Sequence, residues 1–423
     1  MGSGGAEVRT SNPLIVDWEL QLNTWRRKAI VIILVFATCG ALIYRTWWLF
    51  LAAWMTREFQ PNPAIYERAI LYHPDNADYH FLLAQIYNSS TEFLNLDRAG
   101  QEFKEAVRLN PNRSAHWQEL AKWYEEQMQF DAARDAVRQA IETDPNYAKT
   151  HWFAANLYLR VQDMKEADFE MRRAADLDTT NYLTQVLDLV WRFDADPDRI
   201  VSTHVPNTRQ ANLMALNYFI SKQSERGAGL AWARLKTFET PVPERFPYIA
   251  YLESLGKPRE ALHIFSFPNS PVPFYNGSFE TESMQGAFDW RISSNDDAEA
   301  RRDTAAAKEG LSSLMVSFSG KQNIDYSGVA HNLVVEKGKR YSVTFWMKTE
   351  GISTNEGMFV EVLGCQGCQP SEKQIGTTYW QQFQIPFTAA GELVTVRLRR
   401  VPTTKFDNLL KGKVWLDAFD LVQ

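Results

Sequence analysis

The sequence predicts a multidomain chain: a membrane-crossing helix, then an all-α solenoid of helical hairpins, then an all-β sandwich. Three observations predict it. A nearly unbroken apolar stretch follows a basic cluster at Arg26, Arg27 and Lys28. Pro111 and Pro145 stand 34 residues apart, and the pattern between them recurs in phase on either side. Past the proline-dense run Phe267-Pro-Asn-Ser-Pro-Val-Pro273, helical spacing gives way to short alternating runs.

The apolar stretch runs from Ala29 to Tyr44 and resumes after Arg45 through Met55. Its Leu, Ile, Val and Phe side chains favour insertion by about 3–5 kcal/mol, more than Arg45 costs where it can snorkel to an interface. Trp47, Trp48 and Trp54 suit an interfacial belt at the far end. Arg9, Arg26, Arg27 and Lys28 precede the span, so the positive-inside bias puts residues 1–28 in the cytoplasm and everything beyond residue 55 outside. A cleaved signal peptide is the rival reading, but 28 residues is a long leader and no small-x-small site ends the run. Phe36-Ala-Thr-Cys39 resembles a lipoprotein cleavage box, with Thr where Gly or Ala is usual. The expectation is therefore an uncleaved single-pass anchor over 29–55, with the rest of the chain in a periplasm.

The period comes next. Trp117, Leu120, Ala121, Tyr124, Ala133, Ala140 and Pro145 stand where tetratricopeptide repeats place Trp, Leu, a small residue, Tyr, Ala, Ala and Pro, and the chain resembles that family here. Small residues let two antiparallel helices approach, aromatics fill the wedge, and proline stops the second helix. Downstream the frame lands on Tyr158, Ala167 and Ala174, with His151 and Trp152 bracketing the aromatic slot and Thr179 replacing the proline. Upstream, three extra residues in the turn from Asn88 to Asn95 restore phase with Leu83, Ala84, Tyr87, Ala99 and Ala106, and Ala69 and Pro74 close a lone half-repeat. Beyond Thr179 the phase fades, while residues 209–222, 227–237 and 248–265 keep helical spacing. A solenoid over 62–265 follows, with a groove for a protein partner.

After the linker at 266–273, short alternating runs at 314–318, 329–335, 340–348, 358–363, 380–387, 393–400 and 413–422 predict a β-sandwich over 274–423. Asn276-Gly-Ser-Phe-Glu280, Phe288-Asp-Trp290, the hairpin Gly338 to Lys348, Trp380-Gln-Gln-Phe383 and the closing run Val414 to Leu421 resemble the galactose-binding-like jelly rolls, in particular carbohydrate-binding modules of the 4, 9 and 22 type. The resemblance implies a glycan ligand without naming the sugar. Strand parity buries Tyr341, Val343, Phe345 and Met347 and turns Trp346 outward; in the next-to-last run it buries Val394, Val396 and Leu398 and presents Arg397 and Arg399. Tyr326, Trp346, Arg397 and Arg399 are the candidate glycan-binding residues, set against a merely solvated or helix-covered face. Trp290 and Trp380 fit packing instead. Glu280 and Asp417 lie on the first and last strands, where the resemblance implies a structural calcium; plain surface carboxylates are the alternative, and no other cofactor is expected.

Cys365 and Cys368 lack the further ligands that zinc needs and sit in a loop unlike a redox helix start, so outside the cytosol they are expected to form a local disulfide. Seven histidines make no HExxH or close pair, and neither Walker loop nor GxSxG elbow occurs. Repeat packing or solvation is their expected role. Net charge is −6 with no basic stripe, which excludes nucleic acid. The chain thus reads as a non-enzymatic scaffold in a bacterial inner membrane, similar to anchored repeat proteins of exopolysaccharide or O-antigen assembly. The alternative is an assembly chaperone for a secretion, pilus or cytochrome-maturation system, with the β-domain used for protein docking.

Overall fold

The computed structural model describes residues 24–423, so Arg9 and most of the 1–28 segment lie outside the described residues. Its contacts define two compact units, 1–177 and 178–423. The order is an apolar helix, helices in a tetratricopeptide-like arrangement, and a C-terminal antiparallel β-sheet region.

The first unit holds α1 (Trp25–Met55), α2 (Pro63–Tyr72), α3 (Ala77–Ser89), α4 (Leu96–Leu109), α5 (Ser114–Glu126), α6 (Phe130–Thr143), α7 (Ala148–Arg160) and α8 (Met164–Leu177). With 31 residues, α1 is about 46 Å long, against a hydrocarbon layer of about 30 Å. It is long and apolar enough to cross a membrane. Its last third does something else. Ala52 is fully buried with Ala69 of α2 and Tyr79 of α3, and Trp48 lies 4.6 Å from Tyr72. The half-repeat expected at Ala69 is thereby completed: the end of α1 serves as the missing partner of α2.

The hairpins α3–α4, α5–α6 and α7–α8 close on alanines. Ala84, Ala99, Ala106, Ala121, Ala133, Ala155, Ala167 and Ala174 are all fully buried. Gly100 is needed for closeness: a Cβ there would meet the Trp123 ring at 2.3 Å. Gly100→Ala gains about 1 kcal/mol of helix propensity and pays for overpacking, for a net expected loss of about 1–2 kcal/mol in chemical denaturation. Each proline carbonyl between hairpins is tied to the fourth residue of the following helix: Pro74 O to His80 Nε2 (3.1 Å), Pro111 O to Trp117 Nε1 (2.9 Å) and Pro145 O to His151 Nε2 (2.9 Å). Where that slot is histidine, the second helix supplies a carboxylate to Nδ1, Glu102 at 2.6 Å and Glu170 at 2.5 Å; where it is Trp117, the matching place holds Ala136. These histidines are packing residues.

His80 also sets a pH dependence. Burial alone would lower its pKa, but the Glu102 carboxylate and the Pro74 carbonyl outweigh burial and the net shift is upward from 6.5. A folded-state pKa raised in this way contributes stability that is complete below the unfolded value and is lost as pH rises through the folded value. Wild type should therefore lose stability relative to His80→Ala between about pH 5 and pH 8 in denaturation curves; a constant gap would refute the linkage.

The second unit opens with α9 (Thr179–Phe193), α10 (Pro197–Thr203), α11 (Arg209–Ser221), α12 (Glu225–Leu235), α13 (Val242–Ser254) and α14 (Pro258–Ser266). Thr179 corrects the expectation of a helix stop. Asp178 caps the following helix by accepting from Asn181 N–H, so Thr179 is the first residue of α9. The hairpin geometry persists where the sequence phase fades. Met128, Gln162, Gln223 and Gly256 all adopt left-handed backbone (φ 60°, 60°, 53° and 72°) at the same offset from the start of α5, α7, α11 and α13. Ala228 and Ala261 are fully buried at the place taken by Ala133 and Ala167.

Ten strands follow. A four-stranded sheet has the order β1 (Arg291–Ile292), β4 (Tyr326–Val334), β9 (Leu393–Arg400), β6 (Phe359–Leu363). A six-stranded sheet has the order β2 (Ala298–Asp303), β3 (Ser313–Ser319), β10 (Lys411–Val422), β5 (Arg340–Ile352), β8 (Gly376–Ala389), β7 (Cys365–Gln366). The order β3-β10-β5-β8 facing β4-β9-β6 is that of a jelly roll. Val343, Phe345 and Met347 pack with Val394, Val396 and Leu398 in the core, as parity requires. Trp290 is sealed at one end, its Nε1 donating to Asn276 O at 3.0 Å. The sandwich packs on the last hairpin within this unit: Phe265 meets Tyr275 and Phe288 at 5.1 and 5.8 Å, and Arg259 pairs with Glu392 at 3.3 Å.

Candidate functional site

The four candidate glycan residues do not converge. Tyr326 belongs to the core, 3% exposed and edge-on to Phe318 at 5.2 Å, and burial pushes its phenol pKa up. The reason is local. The ladder between β4 and β9 shifts register between Tyr326 and Val329, and this irregularity turns Tyr326 inward although alternation from Val329 would turn it out. Arg397 and Arg399 do lie on the outer face of the four-stranded sheet, but both are engaged: Arg397 donates to Glu361, and Arg399 to Asp325 and to Tyr326 O. Trp346 sits on β5 in the other sheet. The core separates it from the two arginines, so one small ligand cannot touch both sets.

Around Trp346 the outer face of the six-stranded sheet carries a second tryptophan that parity arguments on single strands overlooked. Trp415 of β10 stands opposite Lys348, and Asp417 stands opposite Trp346. Neither tryptophan belongs to the core cluster, whereas their neighbours Phe345, Met347, Val414 and Leu416 do. Lysines lie over both rings: Lys308 Nζ is 4.1 Å from the Trp346 centroid, and Lys348 and Lys413 are 4.6 and 6.0 Å from that of Trp415. Trp415 Nε1 donates to Asp303 Oδ2 at 2.7 Å, a bond that holds the Asp303 carboxyl below the usual carboxylate range. Trp346 itself is half-buried.

Of the carboxylates expected to hold calcium, Asp417 lies on the last strand, whereas Glu280 precedes β1 in irregular chain and is not on a first strand; both grip one loop between β2 and β3. Glu280 Oε1 accepts from Leu311 and Ser312 N–H at 2.9 and 3.2 Å, and Asp417 Oδ2 accepts from Lys308 and Glu309 N–H at 2.6 and 3.0 Å. Asp417 is fully buried, and burial raises its pKa despite those amides. These oxygens face backbone donors, which a cation would have to displace. Among the described residues no group of three or more His, Cys, Asp or Glu is placed to hold a metal ion. The grip does position Lys308 over Trp346. Cys365 and Cys368 are joined as a disulfide.

In the first unit, the first helices of successive hairpins lie side by side. Ser114 Oγ is 3.3 Å from Thr150 Oγ1, and Gln118 Nε2 donates to both. Phe81 stacks on His116 at 4.6 Å, and Lys122 lies 5.6 Å from the Phe153 ring. Burial lowers the His116 pKa and the Arg113 charge adds to this, so its imidazole is neutral near pH 7. Phe81, Gln85, Lys122, Phe153 and Asn156 thus form a half-buried face of mixed aromatic and polar character.

No protein-family model matches the chain. No curated protein matches it either. Among solved structures it is similar to MamA AMB-1, with 24% identity over 27% of this chain and a TM-score of 0.24; the match spans 66% of that protein's length. It is also similar to MamA 41-end from Desulfovibrio magneticus RS-1, with 11% identity over 46% of this chain and 93% of that one, TM-score 0.28. A third is the first TPR of Spaghetti (RPAP3) bound to HSP90 peptide SRMEEVD, 15% identical over 28% of this chain and 93% of that one, TM-score 0.25.

Proposed function

We propose that the protein is a non-enzymatic scaffold anchored by α1 in a bacterial inner membrane, with its repeats and sandwich in the periplasm. A protein partner lies along the first-helix face of the hairpins, and the outer face around Trp346 and Trp415 holds a glycan, in cell-surface or exopolysaccharide assembly. The observation that carries this reading is the burial of Ala52 against Ala69 and Tyr79. It supports an anchor that stays attached at least through Ala52, because a leader removed beyond that residue would take with it part of the first hairpin's core. Trp346 on the outer sheet face supports the glycan: its half-buried ring offers an apolar surface to the CH face of a sugar ring, whereas Trp415 beside it is buried.

One observation favours a second reading. The sandwich packs on α14, so part of its four-stranded sheet serves protein docking, as in an assembly chaperone whose β-domain contacts proteins only. Trp346→Ala separates the two. Under the glycan reading the variant keeps the fold and loses retention on a polysaccharide affinity gel. Unchanged retention, or none by wild type on any glycan tried, favours the chaperone.

A further inference from the structure

We infer that the cavity between α1 and the turn from α2 to α3 takes the headgroup of a zwitterionic phospholipid, its phosphate on Arg45 and its ammonium on Asp75. This rests on the reading of α1 as a membrane anchor and names a ligand for its surface end. The cavity has a volume of about 540 Å³, and Tyr44, Arg45, Trp48, Leu71, Tyr72 and Asp75 are among the residues that line it.

Depth puts this cavity at the membrane surface. Past Trp48, α1 packs on helices that carry charge: Ala52 is fully buried with Ala69 of α2 and Tyr79 of α3, and the same two helices bear Glu67, Arg68 and Asp78. Hydrocarbon does not extend to that level, because it would have to desolvate those groups. Before Arg45 the opposite holds, with Ile30, Ile33, Phe36, Ile43 and Tyr44 each more than half exposed. Lys28 and Arg45 bound this apolar stretch about 26 Å apart along the helix, which matches a hydrocarbon core of about 30 Å once both side chains snorkel outward. Arg45 therefore meets the bilayer at the level of the lipid phosphates. Helix α2 returns to the same level, where Tyr72 lies 4.6 Å from Trp48 and Leu71 is 80% exposed, ready to meet acyl chains. Trp48 is also edge-on to Tyr44 at 5.9 Å, and amphipathic rings of this kind suit headgroup depth.

Charge selects the headgroup. The cavity wall carries one guanidinium and one carboxylate from separate elements, and neither Arg45 nor Asp75 makes an ion pair among the described residues. Arg108, which feels the Asp75 charge, is itself taken by Glu105 at 2.6 Å. A zwitterion satisfies both groups at once, whereas an anionic lipid would bring its phosphate to Arg45 and leave Asp75 without a countercharge. Helix α2 ends at Tyr72, so the negative end of its dipole favours the ammonium on the Asp75 side.

The test uses the full chain in a neutral detergent, titrated with phosphatidylethanolamine and with phosphatidylglycerol of the same acyl chains, bound lipid being counted by native mass spectrometry. Wild type should hold phosphatidylethanolamine at least about tenfold more tightly than phosphatidylglycerol. Arg45→Gln should weaken phosphatidylethanolamine about tenfold. Asp75→Asn should weaken it similarly and turn the preference to phosphatidylglycerol, since the charge left in the cavity is then cationic. Arg57→Gln, just past the end of α1 and outside the cavity, should change neither affinity. All three side chains are exposed, so each variant should keep the wild-type thermal unfolding profile. Equal or tighter binding of phosphatidylglycerol by wild type, a preference that survives Asp75→Asn, or an Arg57→Gln loss as large as that of Arg45→Gln overturns the inference; the anchor reading stands if the chain remains in carbonate-washed membranes. Release from those membranes overturns the anchor reading and the inference with it.

Discussion

Phe345→Ala is expected to cost the second unit about 3–5 kcal/mol, whereas Trp346→Ala, one residue along the same strand, should cost under about 1 kcal/mol. Phe345 is fully buried and stacks on Phe383 and Phe419 at 5.4 and 5.0 Å, so its removal leaves a cavity that joins β5, β8 and β10. Trp346 points to the opposite side, where the loss is one half-buried ring and a cation contact. Hydrogen exchange would locate the effect: for Phe345→Ala, protection should fall in the sandwich strands and hold in α3–α8. Similar losses for the two variants would contradict the assigned faces.

Arg245→Ala should be nearly as damaging, at about 3–5 kcal/mol. The guanidinium is 6% exposed and donates to Thr240 O at 3.1 and 2.5 Å, and to Ile264, Phe265 and Phe267 O at 3.1, 3.3 and 2.6 Å. Helix α14 ends there, leaving carbonyls with no intrahelical partner and the negative end of the helix dipole. One side chain satisfies both. Burial lowers its pKa, yet an arginine begins so high that it stays charged. Arg245→Met restores volume without donors and should rescue little. Thermal unfolding of both variants checks this, and full rescue by methionine would show that packing alone matters.

Much of this molecule was legible in its sequence, for a specific reason. The alanine, aromatic and proline slots of the hairpins recur because the same close approach recurs, so Ala99, Ala133 and Ala167 announced themselves. After Thr179 the geometry continues but the large slots change identity. Only Ala228 and Ala261 keep their residue type, which is too little to hold a phase by eye. The strands with clear alternation were readable, whereas β1 and β7, two residues each, carry no period. Alternation also predicted the inward and outward sides of β5 and β9. It failed at Tyr326 because the irregular ladder beside it reverses the parity. Trp415 was missed because recognising its partnership with Trp346 requires the register between β10 and β5. Buried Arg245 was illegible for another reason: its partners are backbone carbonyls, which every residue owns.

The central claim is that α1 crosses a membrane and carries the repeats and sandwich to its far side. Alkaline phosphatase fused after Gln423 of the full chain, compared with a fluorescent reporter that matures only in reducing surroundings, tests it most directly. The account predicts an active phosphatase and a dark reporter, with the chain retained in carbonate-washed membranes. A silent phosphatase with a bright reporter would contradict it.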